Sequence, residues 1–195
     1  MNSAIKYRLY PTSEQKIMFA KTFGCCRKVY NLMLSEKIES YKTTGKFVAV
    51  TPAKYKKDFP YLKEVDSLAL ANVQLNLQSA FRNHFDRNRR KKTGFPKFKS
   101  AKHSRKSYTT NNQNGTVAII DSRYIRLPKI GKVRAVIHRV PGTDWKLKSA
   151  TVSCSSDDRY YVSVLFEYEN SAPTYVADEN NAIGMDYASD GLYVD

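Results

Sequence analysis

The sequence predicts an α+β fold in which a small antiparallel β-barrel carries an inserted helical lobe. Apolar residues recur with a helical period from about residue 13 to residue 85, then switch to a period of two beyond Ser107 and hold it to about residue 168. A single alternating segment, residues 4–10, precedes the helices and supplies one more strand. With 195 residues, 42% of them hydrophobic and 12% aromatic, the chain can bury a core and form one large domain or two small ones.

In residues 4–10, AIKYRLY, Ile5, Tyr7 and Leu9 share one face while Lys6 and Arg8 take the other, the pattern of a half-buried strand that Pro11 ends. Thr12 and Gln15 stand at capping-box spacing. Phe19, Phe23, Cys26, Tyr30, Leu34, Ile38 and Tyr41 then line one face of a long helix that breaks near Thr44 and Gly45. Thr51 and Pro52 open a short second helix, closed between Asp58 and Pro60. Asp66 and Ser67 cap a third, whose stripe runs through Leu70, Val73, Leu77, Phe81 and His84. Strands follow at 117–120, 124–127 and 132–138, and Pro141 and Gly142 mark a turn. Ala150, Val152 and Cys154 alternate with polar neighbours. Past a turn at 156–159, Tyr160, Val162, Val164, Phe166 and Tyr168 return as the second arm of a hairpin. Residues 171–180 read as a polar linker.

The formal net charge is +15 and the pI about 9.7, with cations spread from Lys6 to Lys148. A nucleic acid is therefore the first partner to consider and an anionic membrane the second. No apolar run approaches the roughly 18–20 residues of a membrane span, and MNSAIKYRLYP lacks the apolar core of a signal peptide, so a soluble, cytoplasmic protein without a membrane partner is expected. Cys25 and Cys26 are adjacent and Cys154 is remote, which suits packed, reduced thiols better than a disulfide framework or a zinc site.

Residues 82–106, RNHFDRNRRKKTGFPKFKSAKHSRK, hold eleven of the 33 Lys and Arg residues against a single acid, Asp86. Phe85, Phe95 and Phe98 are interleaved with Arg87, Arg89, Arg90, Lys91, Lys92, Lys97 and Lys99, a mixture suited to neutralising phosphates and stacking on sugars or bases. Within it GFPKF argues for an ordered turn, because Gly94 permits unusual backbone angles and Pro96 fixes one. Residues 182–194 read as a strand, a turn and a returning strand, with Asp186 ending the first arm. A rigid strand end is where a nuclease of the RNase H-like kind holds a carboxylate that bridges divalent cations, but by spacing alone an ordinary turn carboxylate is the better fit.

Six signatures in order carry a resemblance: Lys6-Tyr7-Arg8-Leu9-Tyr10-Pro11; Phe23-Gly24-Cys25-Cys26-Arg27-Lys28-Val29-Tyr30-Asn31; Leu62-Lys63-Glu64-Val65-Asp66-Ser67; Gly94-Phe95-Pro96-Lys97-Phe98-Lys99; Leu127-Pro128-Lys129-Ile130-Gly131; and Gly184-Met185-Asp186. The chain resembles the TnpB (OrfB) family of transposon-encoded, RNA-guided DNA endonucleases. The resemblance implies a wedge barrel from residues 1–11 and 107–170, an inserted recognition lobe at 12–95, a basic connector at 96–106, the linker at 171–180, and at 181–195 the first hairpin of a truncated RuvC nuclease domain. Its implied partners are guide RNA and target DNA, bound by a monomer, with no small-molecule substrate.

By the same resemblance Asp186 would be the first catalytic carboxylate and a Mg²⁺ ligand. Thr110, Asn111 and Asn112 would lie in a wedge loop that helps read the motif beside the target, facing Ser67 and Asn72 at the start of a helix. Arg27, Arg82, Arg87, Arg89, Arg90, Lys97 and Lys99 would contact RNA or heteroduplex backbone without reading sequence. The family's further Glu and Asp and its C-x-x-C zinc ribbon are expected downstream of Asp195, so this chain is expected not to cut DNA alone, one carboxylate being a weak Mg²⁺ site. A nuclease-deficient RNA- or DNA-binding repressor or decoy is the alternative. A DNA-binding protein that reads the major groove with the helix at 13–41 ranks last, since that helix offers an apolar stripe and few exposed bases.

Overall fold

The computed structural model describes residues 1–86, 88, 93–169, 186–188 and 191–194. The fold is α+β: a curled antiparallel sheet of seven strands with two α-helices against it. Strand β1 (Asn2–Tyr10) leads into helix α1 (Ser13–Thr44), two 3-10 turns (Pro52–Lys56 and Pro60–Lys63) and helix α2 (Ser67–Phe85). Strands β2 (Lys106–Asn111), β3 (Ala118–Ile120), β4 (Tyr124–Leu127), β5 (Gly131–Val136), β6 (Lys146–Cys154) and β7 (Tyr160–Glu167) follow. A separate hairpin is made by β8 (Asp186–Ala188) and β9 (Gly191–Val194).

The order across the sheet is β2-β6-β7-β1-β5-β4-β3. N-terminal β1 thus lies at the centre, with Ile5 opposite Val164 on one side and Leu9 opposite Ala135 on the other. The sheet is a half-barrel and does not close: among the described residues β2 and the three-residue β3 remain its edges, where a barrel was expected. Twist curls the strands, but closure also needs the first and last to meet in register.

Period-two patterning explains the inner face. Tyr7, Leu9, Val133, Ile125, Val152, Val162, Val164 and Phe166 are buried there, and helix α1 lays Phe19 and Phe23 onto them. The Phe19 ring lies 5.4 Å from Tyr160, and Phe23 lies 5.8 Å from Tyr108. Further along α1, Val29, Tyr30, Met33 and Leu34 are buried together with Leu70, Val73 and Leu77 of α2 in one core.

The capping box forms as the spacing predicts. The Gln15 amide N–H donates to the Thr12 hydroxyl at 3.3 Å, and the Thr12 N–H donates back to Gln15 Oε1 at 3.1 Å. At the other end Gly45 adopts φ +69°, and its N–H donates to the Tyr41 carbonyl at 2.9 Å. The expected second helix is a 3-10 turn, and Thr51 makes no side-chain cap. Pro60, read as its end, opens the second 3-10 turn instead. Strand β2 was not expected. Its Tyr108 and Thr110 point inward while Ser107, Thr109 and Asn111 are half-buried on the other face.

Candidate nucleic-acid interface

The interface begins with one buried carboxylate. Asp66 caps α2 by accepting from the Leu68 and Ala69 amides at 3.1 and 3.2 Å. Its second oxygen, Oδ2, also accepts a short hydrogen bond from the Thr110 hydroxyl on β2. Asp66 is 8% exposed and Thr110 fully buried, so this strut joins helix α2 to the sheet largely out of water's reach.

A second tie fixes the basic connector. The Lys99 N–H donates to Asn31 Oδ1 and Asn31 Nδ2 donates to the Lys99 carbonyl, both at 2.8 Å. With its backbone clamped to α1, Lys99 holds its ammonium 4.1 Å from the centre of the Tyr30 ring. Desolvation at this spot lowers the Lys99 pKa from its ordinary value. The neighbouring Cys26 thiol is pushed up to about 12 by burial, which keeps it protonated and inert.

Between α1, α2, the connector and β2 these ties leave a cleft of about 340 Å³. Its cations are Arg27, Lys99, Arg105 and Lys106, its amides Asn72 and Asn76, and its apolar floor includes Phe23, Val73 and Tyr108. Among the described residues no carboxylate lines it, although Asp158 lies 3.6 Å from Lys106 Nζ at its edge. Four cations around a concave wall focus positive potential, and the two amides can pair with base edges or sugar hydroxyls.

The convex face of the sheet is a second basic and aromatic surface. Arg8 Nη1 donates to the Tyr161 hydroxyl at 2.9 Å, and Lys6 Nζ lies 4.5 Å from the centre of the same ring. Arg126 and Lys132, both exposed, sit directly opposite one another across β4 and β5. Like charges in that position repel unless an anion screens them.

The structure brings Arg27, Asn72 and Lys99 together in the cleft. Arg82 in the last turn of α2 and Lys97 on the connector are exposed outside its lining. Ser67 is exposed at the first turn of α2, where its hydroxyl accepts from Lys56 Nζ at 3.0 Å. Thr110 and Asn111 belong to strand β2 rather than to a loop, a correction that follows from the inward Tyr108–Thr110 alternation. Thr110 spends its hydroxyl on Asp66. Asn112 donates to the Leu147 carbonyl at 3.1 Å and accepts from the Val117 N–H at 3.0 Å, holding the turn out of β2. Arg87, Arg89 and Arg90 lie outside the described residues. Asp186 is the first described residue of β8 and pairs with Val194; residues 182–185, read as the rest of the arm that Asp186 ends, lie outside the described residues. Among the described residues no cluster of three His, Cys, Asp or Glu side chains could hold a metal ion. The sequence singled out neither Asn76, Arg105 and Lys106 nor the Lys6–Arg8–Tyr161 group, although Arg105 and Lys106 close its basic stretch. Lys6 and Arg8 on the polar face of the first strand were the available signal.

Fold and site together define a strongly basic α+β protein whose two helices and half-barrel share one cationic cleft. Comparison with known proteins is specific. Residues 1–46 match the helix-turn-helix domain of OrfB proteins. In this chain those residues form β1 and one uninterrupted helix, ending at the Gly45 cap. A Streptomyces pristinaespiralis protein, whose name provisionally assigns it to the RNA-guided DNA endonucleases, is 32% identical over 203 residues. That alignment covers 94% of this chain and 45% of the relative, so the chain spans about half of the relative's length. Virulence protein VsdF of Salmonella dublin is 36% identical over 115 residues, 51% of this chain and 93% of that protein. The chain belongs to the TnpB (OrfB) family.

Proposed function

We propose that the chain is the nucleic-acid-binding portion of a TnpB-like, RNA-guided DNA endonuclease, holding guide RNA and target DNA without a complete nuclease site of its own. The observation that carries this reading is the cleft, where Arg27, Lys99, Arg105 and Lys106 converge with Asn72 and Asn76; of these cations only Lys106 is paired with an acid among the described residues, at 3.6 Å from Asp158 on the rim. Cations on both sides of a groove neutralise successive phosphates and release counterions, whereas amides contribute the fewer contacts that distinguish bases. The convex Lys6–Arg8–Tyr161 group offers a further backbone contact, with a ring against which a sugar or base can rest. The Streptomyces relative's name supports guide RNA and DNA as partners.

Asp186 is proposed as one carboxylate ligand of Mg²⁺, held on a short strand. One carboxylate does not position an ion that keeps most of its waters, so the 195-residue polypeptide is proposed to bind without cutting. The experiment combines purified protein, the RNA that copurifies with it, matched target DNA and Mg²⁺. Retention of RNA with intact DNA is the expected outcome. Guide-directed, Mg²⁺-dependent strand scission would refute the inactivity, and absence of RNA binding would refute the role.

A further inference from the structure

Away from the cleft, six rings meet where α1 and α2 both finish. Tyr41 stacks on Phe47 with centroids 4.6 Å apart and planes 15° from parallel. Phe47 in turn lies 5.0 Å from Phe81 and 5.8 Å from Phe85. Phe95 meets Phe81 edge-on at 5.4 Å, and His84 stands between Phe85 and Phe95 at 4.8 and 5.4 Å. The cluster is continuous yet open to solvent: Tyr41 is 52% exposed, Phe47 36%, Phe85 54% and Phe95 39%. A contiguous exposed aromatic patch is costly to keep and marks a binding surface.

The charge around it selects the occupant. The segments that carry the rings hold Lys37, Lys42, Lys46 and Arg82 against Glu39 and Asp86. The Asp86 carboxylate is already engaged, accepting from the Asn88 N–H at 3.0 Å. Both helices present their carbonyl ends here, a negative pole that these cations offset. A second copy of the chain would bring its own net charge of +15 against this rim, whereas a polyanion meets it with attraction.

We propose that this aromatic shelf is a stacking site for unpaired bases of a nucleic acid, separate from the phosphate-binding cleft. Rings open on one side accept any base face, while the flanking cations hold the connecting phosphates. Duplex, whose bases are already stacked, gains little there. The proposal rests on the polyanion-binding reading above, and its test separates the two.

The test compares wild type with the double variant Phe47→Leu and Phe85→Leu, which keeps apolar bulk and removes two faces. Three probes are used: a short oligouridylate, an abasic oligomer with the same phosphates, and an RNA hairpin without unpaired overhangs. Wild type is expected to prefer oligouridylate to the abasic oligomer. The double variant is expected to lose roughly tenfold in affinity for oligouridylate while holding the other two probes unchanged. Equal affinity of variant and wild type for oligouridylate, or no base preference in wild type, overturns the shelf and leaves the cleft standing. Failure of wild type to bind any of the three overturns both. A variant that changes only self-association in sedimentation assigns the shelf to a second copy and also overturns the proposal. Should the double variant not fold, Phe85→Leu alone, at a ring more than half exposed, gives the same comparison with a smaller loss.

Discussion

Asp66→Ala removes the strut that holds the two halves of the cleft together. The carboxylate closes the first turn of α2 through the Leu68 and Ala69 amides, a cap whose loss costs about 1 kcal/mol. It also receives the Thr110 hydroxyl, which is left buried without an acceptor when the carboxylate goes, costing a further ~1–3 kcal/mol. Together the change predicts a loss of about 2–4 kcal/mol, or about 5–15 °C in melting temperature for a domain of this size. Thr110→Val removes the same bond but keeps the cap and the side-chain shape, so a loss of about 1–2 kcal/mol is expected. The two residues touch, so their effects should overlap: the double variant is expected to be less destabilised than the sum of the singles by about 1 kcal/mol or more. Urea unfolding followed by circular dichroism measures all four corners of the cycle. Strict additivity, or an Asp66→Ala protein within about 0.5 kcal/mol of wild type, would refute the strut.

Two further outcomes concern the helical region. Glu36 accepts from the Tyr55 hydroxyl at 2.8 Å and is paired with Lys54, and the Lys54 hydrogen bond, with Tyr55 behind it, holds its pKa below the ordinary 4.5. A depressed carboxylate stabilises above its unfolded pKa and loses that contribution as pH falls through the folded one. Glu36→Gln should therefore lower stability at neutral pH and flatten its decline below about pH 4.5; equal acid sensitivity in urea titrations of both proteins would contradict this. Gly45→Ala forces a Cβ into a left-handed backbone at φ +69° and should cost about 1 kcal/mol, read as a lower melting temperature. An unchanged melting temperature would show that the cap is not held in that conformation.

Local chemistry explains which elements were legible. Thr12 and Gln15 announced the start of α1, Gly45 its end, and Asp66 the start of α2, because caps depend on neighbours three or four residues away. Strand β1 was readable from its alternation. Strand β2 was not, since KSYTTN hides an inward Tyr and Thr among polar residues and only Asp66, 44 residues earlier, gives the buried Thr110 a partner. Closure of the sheet depends on how β2 and β3 end up relative to each other, which no local pattern encodes. The cleft was half legible. Arg27, Asn72 and Lys99 were each recognisable, but the Asn31–Lys99 clamp that gathers them spans 68 residues. The 3-10 turns differ from the expected helix because Pro52 and Pro60 fall within nine residues, leaving no length for an α-helical ladder.

The central claim is that converging cations in one cleft bind nucleic-acid backbone, and the salt dependence of binding tests it most directly. If Arg27, Lys99, Arg105 and Lys106 each neutralise one phosphate, raising salt from about 50 to 200 mM should weaken binding of structured RNA by roughly 50- to 150-fold or more. The triple variant Arg27→Gln, Lys99→Gln, Arg105→Gln should lower the slope of log affinity against log salt by about 2–3. A wild-type affinity indifferent to salt, or a triple variant with the wild-type slope, would contradict the account.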